Sequence, residues 1–335
     1  MRGRGSRMAN GTDYATYTAG IVHFGAGHPL AESLASLRAQ SLPPSRIIVV
    51  DHGGRQGEIE DLRRASADVE WVFPENGGFA SGANRVLEWS RVTCPDAEFV
   101  LIMNPDVELG RDFSLTVIEA MRARPKVALA SGKLLRPGGQ LIDSAGIERA
   151  RTRRFCDRGS EEPNDGRFGQ TEPVFAVSGA AMMLRRALVS KLAVDGEVFD
   201  EDFFVYHEDT DLAWRARNRG YSSLYVAEGT AVHVRGWRRG HRGQIALNIR
   251  RHSFKNRYLE MIKNEVPFEF LRDLPFIVAA EVARLGFLLF ADRAALASYG
   301  DAIRLAPNAW RKRRLIRRDM GHGEGLVARG APPTE

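Results

Sequence analysis

The chain has 335 residues, of which 44% are hydrophobic and 27% charged, with a formal net charge of +6. This balance describes an ordinary folded protein rather than a disordered or fibrous one, and the length is generous for one domain but short for two. Two cysteines, Cys94 and Cys156, in no CxxC pair leave no basis for a disulfide framework or a thiolate zinc site.

Residues 1–15 are rich in Arg, Gly and Ser and lack the apolar centre of a signal peptide. They are expected to form a disordered lead-in, with Met8 as a second candidate start. Residues 19–24 then read as a strand and 30–40 as a helix with Leu34 and Leu37 inward. Residues 46–51 form a near-continuous apolar strand, the kind covered on both faces. Further strands are expected at 69–73, 98–103 and 127–131, with helices at 83–90 and 113–124 between and after them. This alternation predicts an α/β fold: a Rossmann-like, mostly parallel sheet with helices on both faces. Ligands of such sheets bind outside the carboxyl ends of the strands, where Asp51, residues 76–84 and residues 104–106 fall.

Residues 138–172 lose the pattern and read as long loops with a hairpin. An apolar strand at 174–184, broken at 178–181, restores it. A helix through 217 and a strand at 222–226 follow, and beyond 245 the chain reads as wholly helical. The expected organisation is one α/β domain over 16–245, its first half ending near 133, then a helical region over 246–318 and a flexible tail over 319–335. No run reaches the roughly 18 apolar residues that span a bilayer. The nearest, 276–290, is interrupted by Glu281 and Arg284. The expected location is the cytoplasm.

Chemistry concentrates in the segment from Phe203 to Leu212, where Glu208, Asp209 and Asp211 follow two Phe, a Tyr and a His. A helix start tolerates carboxylates, because its free N–H groups favour negative charge. The aromatic neighbours are what a solvated helix start does not need, and they partly desolvate a carboxylate, which tunes a proton acceptor. Asn104-Pro105-Asp106 ends a buried-type strand and offers a hard oxygen ligand for a divalent cation on a diphosphate. Asp51 closes another strand, suited either to a nucleoside hydroxyl or base N–H or to capping a loop. The run Asn76-Gly77-Gly78-Phe79-Ala80-Ser81-Gly82-Ala83-Asn84 allows positive φ and close backbone approach to a ligand ahead of a helix N-terminus. A tight turn explains its glycines but not the paired Asn76 and Asn84. His233 is either a further metal ligand or a structural histidine.

Gly25-Ala26-Gly27-His28-Pro29-Leu30 mimics a dinucleotide fingerprint, but Leu30 replaces the third glycine and Pro29 interrupts it, so a nicotinamide or flavin role is rejected. Arginine clusters at 235–257 and 311–318 suit phosphate-bearing partners or a solvated face.

In their order these segments resemble the family-2 inverting glycosyltransferases, in the branch labelled rhamnosyltransferase-like. The matching stretches are the 47–51 strand, the Asn-Gly-Gly-Phe-Ala-x-Gly-x-Asn run, Met103-Asn104-Pro105-Asp106, residues 177–186, and residues 199–215 with Gly220-Tyr221 after them. The resemblance covers about residues 20–257 and implies a GT-A fold with a helical C-terminal extension. It further implies that Asp51 contacts the base, and that Asn76, Gly77, Gly78, Gly82 and Asn84 contact nucleotide or sugar. Asn104, Gly179 and Glu208 join the substrate site. Asp106, assisted by His233, would hold Mg2+ or Mn2+, and Asp209 would be the general base, with Glu208 as its rival. Asp211 and Arg215, spaced i, i+4, read as a structural pair. The usual Asp-x-Asp is Asn-Pro-Asp here, one anionic ligand fewer, and no base contact is transferred to residues 23–25.

The implied donor is dTDP-rhamnose, with a UDP-sugar as the alternative. The implied acceptor is a polysaccharide or lipid-linked glycan. The apolar, basic-flanked C-terminal helices suggest either packing on the catalytic half or an anionic membrane surface, here the inner face of the plasma membrane. Competing readings are an inactive nucleotide-sugar or glycan-binding module and a nucleic-acid binder. The second is not expected, because the basic runs lack interleaved aromatics.

Overall fold

In the computed structural model, residues 16–25, 27–53, 56–235 and 246–320 are described. The expected lead-in, most of the expected tail, and Arg238, Arg239 and Arg242 lie outside these residues.

The first half alternates as the sequence predicts. Strand β1 (Tyr17–His23) leads to helix α1 (Gly27–Arg38), β2 (Arg46–Asp51), α2 (Gln56–Arg64) and β3 (Val69–Val72). Then come α3 (Gly78–Thr93), β4 (Phe99–Met103), β5 (Val107–Leu109), α4 (Phe113–Arg122) and β6 (Val127–Leu135). The second half contains β7 (Ile142–Ser144), β8 (Ile147–Arg149), β9 (Phe155–Asp157), β10 (Glu172–Val174), β11 (Ala181–Arg185) and α5 (Arg186–Leu192). It closes with α6 (Glu208–Asn218), β12 (Ser222–His233), α7 (Leu247–Asn264), α8 (Pro267–Ala291) and α9 (Ala297–Met320).

The main sheet runs β10-β12-β6-β11-β4-β1-β2-β3, with β5 added on β12 and β7 on β6. β3, β2, β1 and β4 are parallel, whereas β11 enters antiparallel between β4 and β6. β6 and β12 are parallel to each other and, through β11, point the same way as β4. The long strands therefore share one direction, interrupted once. The apolar run expected at 174–184 is not one strand: its break is real, and its two ends pair with β12 and with β4 and β6.

Successive strand side chains point to opposite faces, and the core divides accordingly. Ile47 and Val49 join α1 and α4 on one face, while Ile48 and Val50 join α3 and α6 on the other. The helix–sheet approach is closest at Gly20, where a Cβ would come within 2.2 Å of the Val86 side chain.

The expected hairpin in 138–172 is β8–β9. The C-terminal region is helical as expected, but α8 corrects one expectation. It is 25 residues long with a mean hydropathy of 1.9 over its most apolar 18 residues, long and apolar enough by composition to cross a membrane. Glu281 and Arg284 interrupt the run without making the segment polar.

The basic clusters are largely spent inside the fold. Arg250 pairs with Asp292, Arg251 with Asp301, Arg257 with Glu281 and Lys312 with Asp200. Arg313 caps the carbonyls of Ile262 and Glu265. These links, with the apolar contacts of Phe203, Leu259 and Ala309, fasten α7 and α9 to each other and to the chain ahead of α6.

Candidate active site

The carboxyl edge of the sheet collects the predicted residues. β4 ends at Met103, opposite Ala181 of β11, and the Asn104 N–H donates to the Ala180 carbonyl at 2.9 Å. One residue earlier, the Gly179 N–H donates to Asp209 Oδ2 at 3.1 Å. Two hydrogen bonds thus connect the turn carrying Asp106 to the start of α6 carrying Asp209. The two segments are neighbours here: a Cβ at Gly179 would stand 3.6 Å from the Asp209 Cβ, an ordinary van der Waals contact.

Asp209 accepts a second bond at Oδ1 from the Thr210 N–H at 2.7 Å. Each carboxylate oxygen has two lone pairs, so each keeps one after this fixation. Burial pushes the Asp209 carboxyl above the usual carboxylate range; the bonds from Gly179 and Thr210 oppose this, and the nearby Asp157 charge adds to it. Glu208, the rival, is buried, with one carboxyl oxygen lacking a hydrogen-bond partner. Burial and the adjacent Asp209 charge push it up much further, which favours its neutral form, a poor proton acceptor. Asp211 faces inward to Arg215 at 3.0 Å, Lys263 at 2.9 Å and Asn264 at 2.7 Å, so it is structural, as its spacing suggested.

At the end of β12, His233 Nε2 lies 3.4 Å from Asp106 Oδ1, and Nδ1 lies 2.8 Å from Asp143 Oδ2. Burial alone would lower this imidazole, but its bonds to Asp106 and Asp143 carry it up to about 9. Asp143 is fully buried and is also met by Arg136 at 2.9 Å and Arg235 at 3.5 Å; Arg235 reaches on to Asp157 at 3.0 Å. Burial would raise Asp143, yet His233 and the two guanidiniums hold it low. A divalent cation here would have to displace the Nε2 proton, after which the carboxylate–imidazole–carboxylate order offers it the Asp106–His233 ligand pair. Asp143 would fix the ring while Nε2 and Asp106 face the ion, and diphosphate or water would supply the remaining ligands. No group of three or more His, Cys, Asp or Glu side chains suited to a metal occurs among the described residues.

The glycine-rich run takes a different place from the one expected. α3 begins at Gly78, so Gly82 lies inside its first turns rather than in a loop ahead of it. Asn76 Oδ1 accepts from the Gly78 N–H at 3.0 Å. Gly78 has φ +78, and a Cβ there would strike the Phe204 carbonyl at 2.2 Å. Gly82 faces Val22 and His52 across the sheet, and Gly77 faces Ser81. Asn84 accepts from the Phe199 N–H at 2.9 Å and donates to its carbonyl at 2.8 Å and to Glu201 at 3.0 Å. The Asn84 contacts dock α3 on the segment that precedes α6, whereas Asn76 makes a local turn bond to the start of α3. Asp51, at the end of β2, is buried against His23 at 2.7 Å.

The segment ahead of α6 is strained: Phe204, Tyr206 and His207 all have positive φ, near +67 to +69. Three non-glycine residues in such conformations persist only when their surroundings hold them. Asn256 of α7 does so, donating to the carbonyls of Phe203, Val205 and Tyr206 at 2.9, 2.9 and 2.7 Å. Glu260, one helical turn on, accepts from Thr210 Oγ1 at 2.9 Å and pairs with His207 at 2.7 Å. Asn256, Glu260, Asp143 and Asp157 were not singled out from sequence. Asn256 and Glu260 lie in a helix read only as basic, and the two aspartates lie in the stretch read as loops.

Comparison with known proteins agrees with this geometry. The profile described as glycosyl transferase family 2 matches residues 18–192, just over half of the chain. N-acetylglucosaminyl-diphospho-decaprenol L-rhamnosyltransferase of Mycobacterium tuberculosis, represented by two strains, is 28% identical over 232 residues, 63% of this chain and 74% of the relative. A mannosyltransferase from Pyrobaculum calidifontis with GDP-Man and Mn2+ superposes with a TM-score of 0.52 at 17% identity, covering 92% of this chain and 86% of that one. GalNAc-T7 with UDP, GalNAc and Mn2+ gives 0.56 at 11% identity; 75% of this chain matches, but only 48% of that one, about half its length. Staphylococcus aureus TarS (residues 1–349) gives 0.53 at 14% identity, covering 91% of this chain and 89% of that one. The edge-of-sheet constellation, the shared fold and the sequence match converge: the chain belongs to glycosyltransferase family 2 and is a sugar-transferring enzyme of GT-A fold.

Proposed function

We propose that the chain is an inverting transferase that moves a sugar from a nucleoside diphosphate to a hydroxyl of a lipid-linked or polysaccharide acceptor. Rhamnose from dTDP-rhamnose is the first candidate donor, on the similarity to the mycobacterial relative, and a UDP-sugar is the second. The observation that carries this reading is the fixation of Asp209 by the Gly179 and Thr210 N–H groups, on the edge where Asp106 meets His233. Asp209 takes the acceptor hydroxyl proton as that oxygen bonds to the anomeric carbon, and the bond to the diphosphate breaks on the opposite face. Its upward-shifted carboxyl is a better base than a solvated aspartate. With an oxocarbenium-like transition state the proton leaves late, so a carboxylate suffices. Asp106 and His233 would hold Mg2+ or Mn2+, which neutralises charge growing on the leaving diphosphate. Solved neighbours carrying Mn2+ and nucleotides or nucleotide sugars support that assignment by analogy. A lipid-linked acceptor would place the reaction at the inner face of the membrane.

The test is a panel of dTDP-, UDP- and GDP-sugars read by nucleoside-diphosphate release with Mg2+ or Mn2+ and with chelator, the product anomer being assigned by NMR. The expected result is metal-dependent release, fastest with dTDP-rhamnose, and inverted configuration. Retained configuration, or full turnover in chelator, would reject the mechanism.

A further inference from the structure

α8 is amphipathic in the reverse sense for a helix docked on a protein. Residues four apart share a helix face, and its inward stripe holds its acids. Glu269 pairs with Arg149 at 2.7 Å, Asp273 with Arg153 at 2.8 Å and with Arg151 at 3.0 Å, and Glu281 with Arg257 at 2.7 Å. Ile277 and Leu288 are buried on the same stripe. The opposite stripe, Leu271, Leu274, Val278, Val282, Leu285 and Leu289, is exposed and contains no charge. Phe290 extends it at the carboxyl end and is 87% exposed. The exposed apolar side chains run the length of the helix instead of being scattered singly, the pattern that marks an interaction face.

Arginines border this face: Arg272 lies at its edge, paired with Asp273, and Arg293 lies two residues past the helix end, donating to the Leu289 carbonyl. The Arg151 guanidinium stacks 3.9 Å over the Phe276 ring. All three acids of the helix are turned toward arginines of the body. An uncharged stripe with an arginine border is complementary to acyl chains beneath anionic headgroups.

Side-chain links tie α8 to α7, which runs in the opposite direction, through Arg250–Asp292, the cluster shared by Phe254 and Leu288, and Arg257–Glu281. Because α7 and α9 also pack on each other, both ends of α8 remain on the same side of any surface it meets. A helix held this way enters a leaflet edge-on and does not cross it.

The geometry points to α8 as an interfacial anchor: its Leu271–Leu289 stripe lies in the acyl boundary of an anionic leaflet, with the rim arginines at phosphate level. This stands apart from the identity of the sugar or acceptor. The experiment is co-sedimentation with phosphatidylcholine vesicles, with and without phosphatidylglycerol, for the intact chain and for Val282→Asp/Leu285→Asp. Val92→Asp, an exposed valine on α3, serves as control. Donor hydrolysis and thermal unfolding, measured alongside, establish that each variant is folded; Val282→Asn/Leu285→Asn replaces the aspartates if they do not fold. The intact chain and the control should bind the anionic vesicles. The double variant should lose about tenfold or more of that partition while keeping donor hydrolysis. Arg293→Gln should reduce the preference for phosphatidylglycerol by about fivefold. Failure of the intact chain to bind anionic vesicles, or equal binding by the folded double variant, overturns the proposal. So does a lipid-independent dimer that the double variant abolishes, which would assign the face to a second copy.

Discussion

Replacing Asn256 by alanine tests how the base is aimed. The side-chain NH2 lies within hydrogen-bond distance of three carbonyls, those of Phe203, Val205 and Tyr206, and its two hydrogens are shared among them; Phe204, Tyr206 and His207 in this segment are all at positive φ. Such conformations cost on the order of 1–3 kcal/mol each. A hydrogen bond contributes about 1 kcal/mol net. Removing the two donor hydrogens of Asn256 therefore withdraws about 2 kcal/mol, comparable to the strain of one of these residues, and the segment should relax. Asp209 follows within two residues of His207, and a shift of about 1 Å in a catalytic group costs roughly a hundredfold in rate. The expected outcome for Asn256→Ala is a kcat lower by roughly 10- to 100-fold and a donor KM nearly unchanged, because the loss falls on positioning rather than on ground-state binding. Steady-state kinetics of nucleoside-diphosphate release, with urea unfolding to establish the folded fraction, measures both. Wild-type kcat in folded Asn256→Ala, or a rate loss that merely follows the unfolded fraction, would refute the reasoning.

Three further outcomes follow from the same contacts. Asp143→Asn weakens the partner that orients His233 and should raise the metal concentration for half-maximal rate by roughly 10- to 100-fold, measured by Mn2+ titration of turnover. Protonated Asp209 cannot act as base, so kcat/KM should rise with pH through a midpoint above the ordinary carboxylate value of about 4. Asp157→Asn removes a neighbouring negative charge that raises this group, and should move that midpoint to lower pH. Arg153→Met leaves Glu265 and Asp273, its partners at 2.6 and 2.8 Å, short of a buried counter-charge. It should destabilise the fold by about 3–5 kcal/mol in urea unfolding.

The sheet was legible because its signal is local. The run Ile47 to Val50 can only be covered on both sides, and the structure covers it with helices on both faces. Asp106 and Asp209 were singled out by residue type and by the family resemblance, and the fold brings their segments to one edge through residues 179 and 180. The parts that sequence did not give depend on distant partners. Asn76 and Asn84 read as ligand contacts; in the structure Asn84 also docks α3 on residues 199–201, and Asn76 also caps the turn into α3. Nothing near them in the chain marks Phe199 as the partner of Asn84. Asp143 and Asp157 sit in a stretch without periodicity, where a buried acid has no sequence signature until Arg235 and His233 are placed beside it. The basic run at 250–257 read as a phosphate-binding surface or a solvated face because its acids, Asp292, Asp301 and Glu281, come from the next two helices and their junction. α8 was judged by its charges, whereas the fold turns those charges inward and leaves the apolar stripe outside.

The central claim is that a carboxylate held by two backbone N–H groups at the start of α6 accepts the proton of the acceptor hydroxyl. Turnover of Asp209→Asn, with donor affinity measured separately by equilibrium binding, tests it most directly, because the amide keeps the size of the side chain and removes its basicity. The account predicts a kcat loss of roughly 10²–10⁴-fold with donor affinity retained. Wild-type turnover by Asp209→Asn would contradict it.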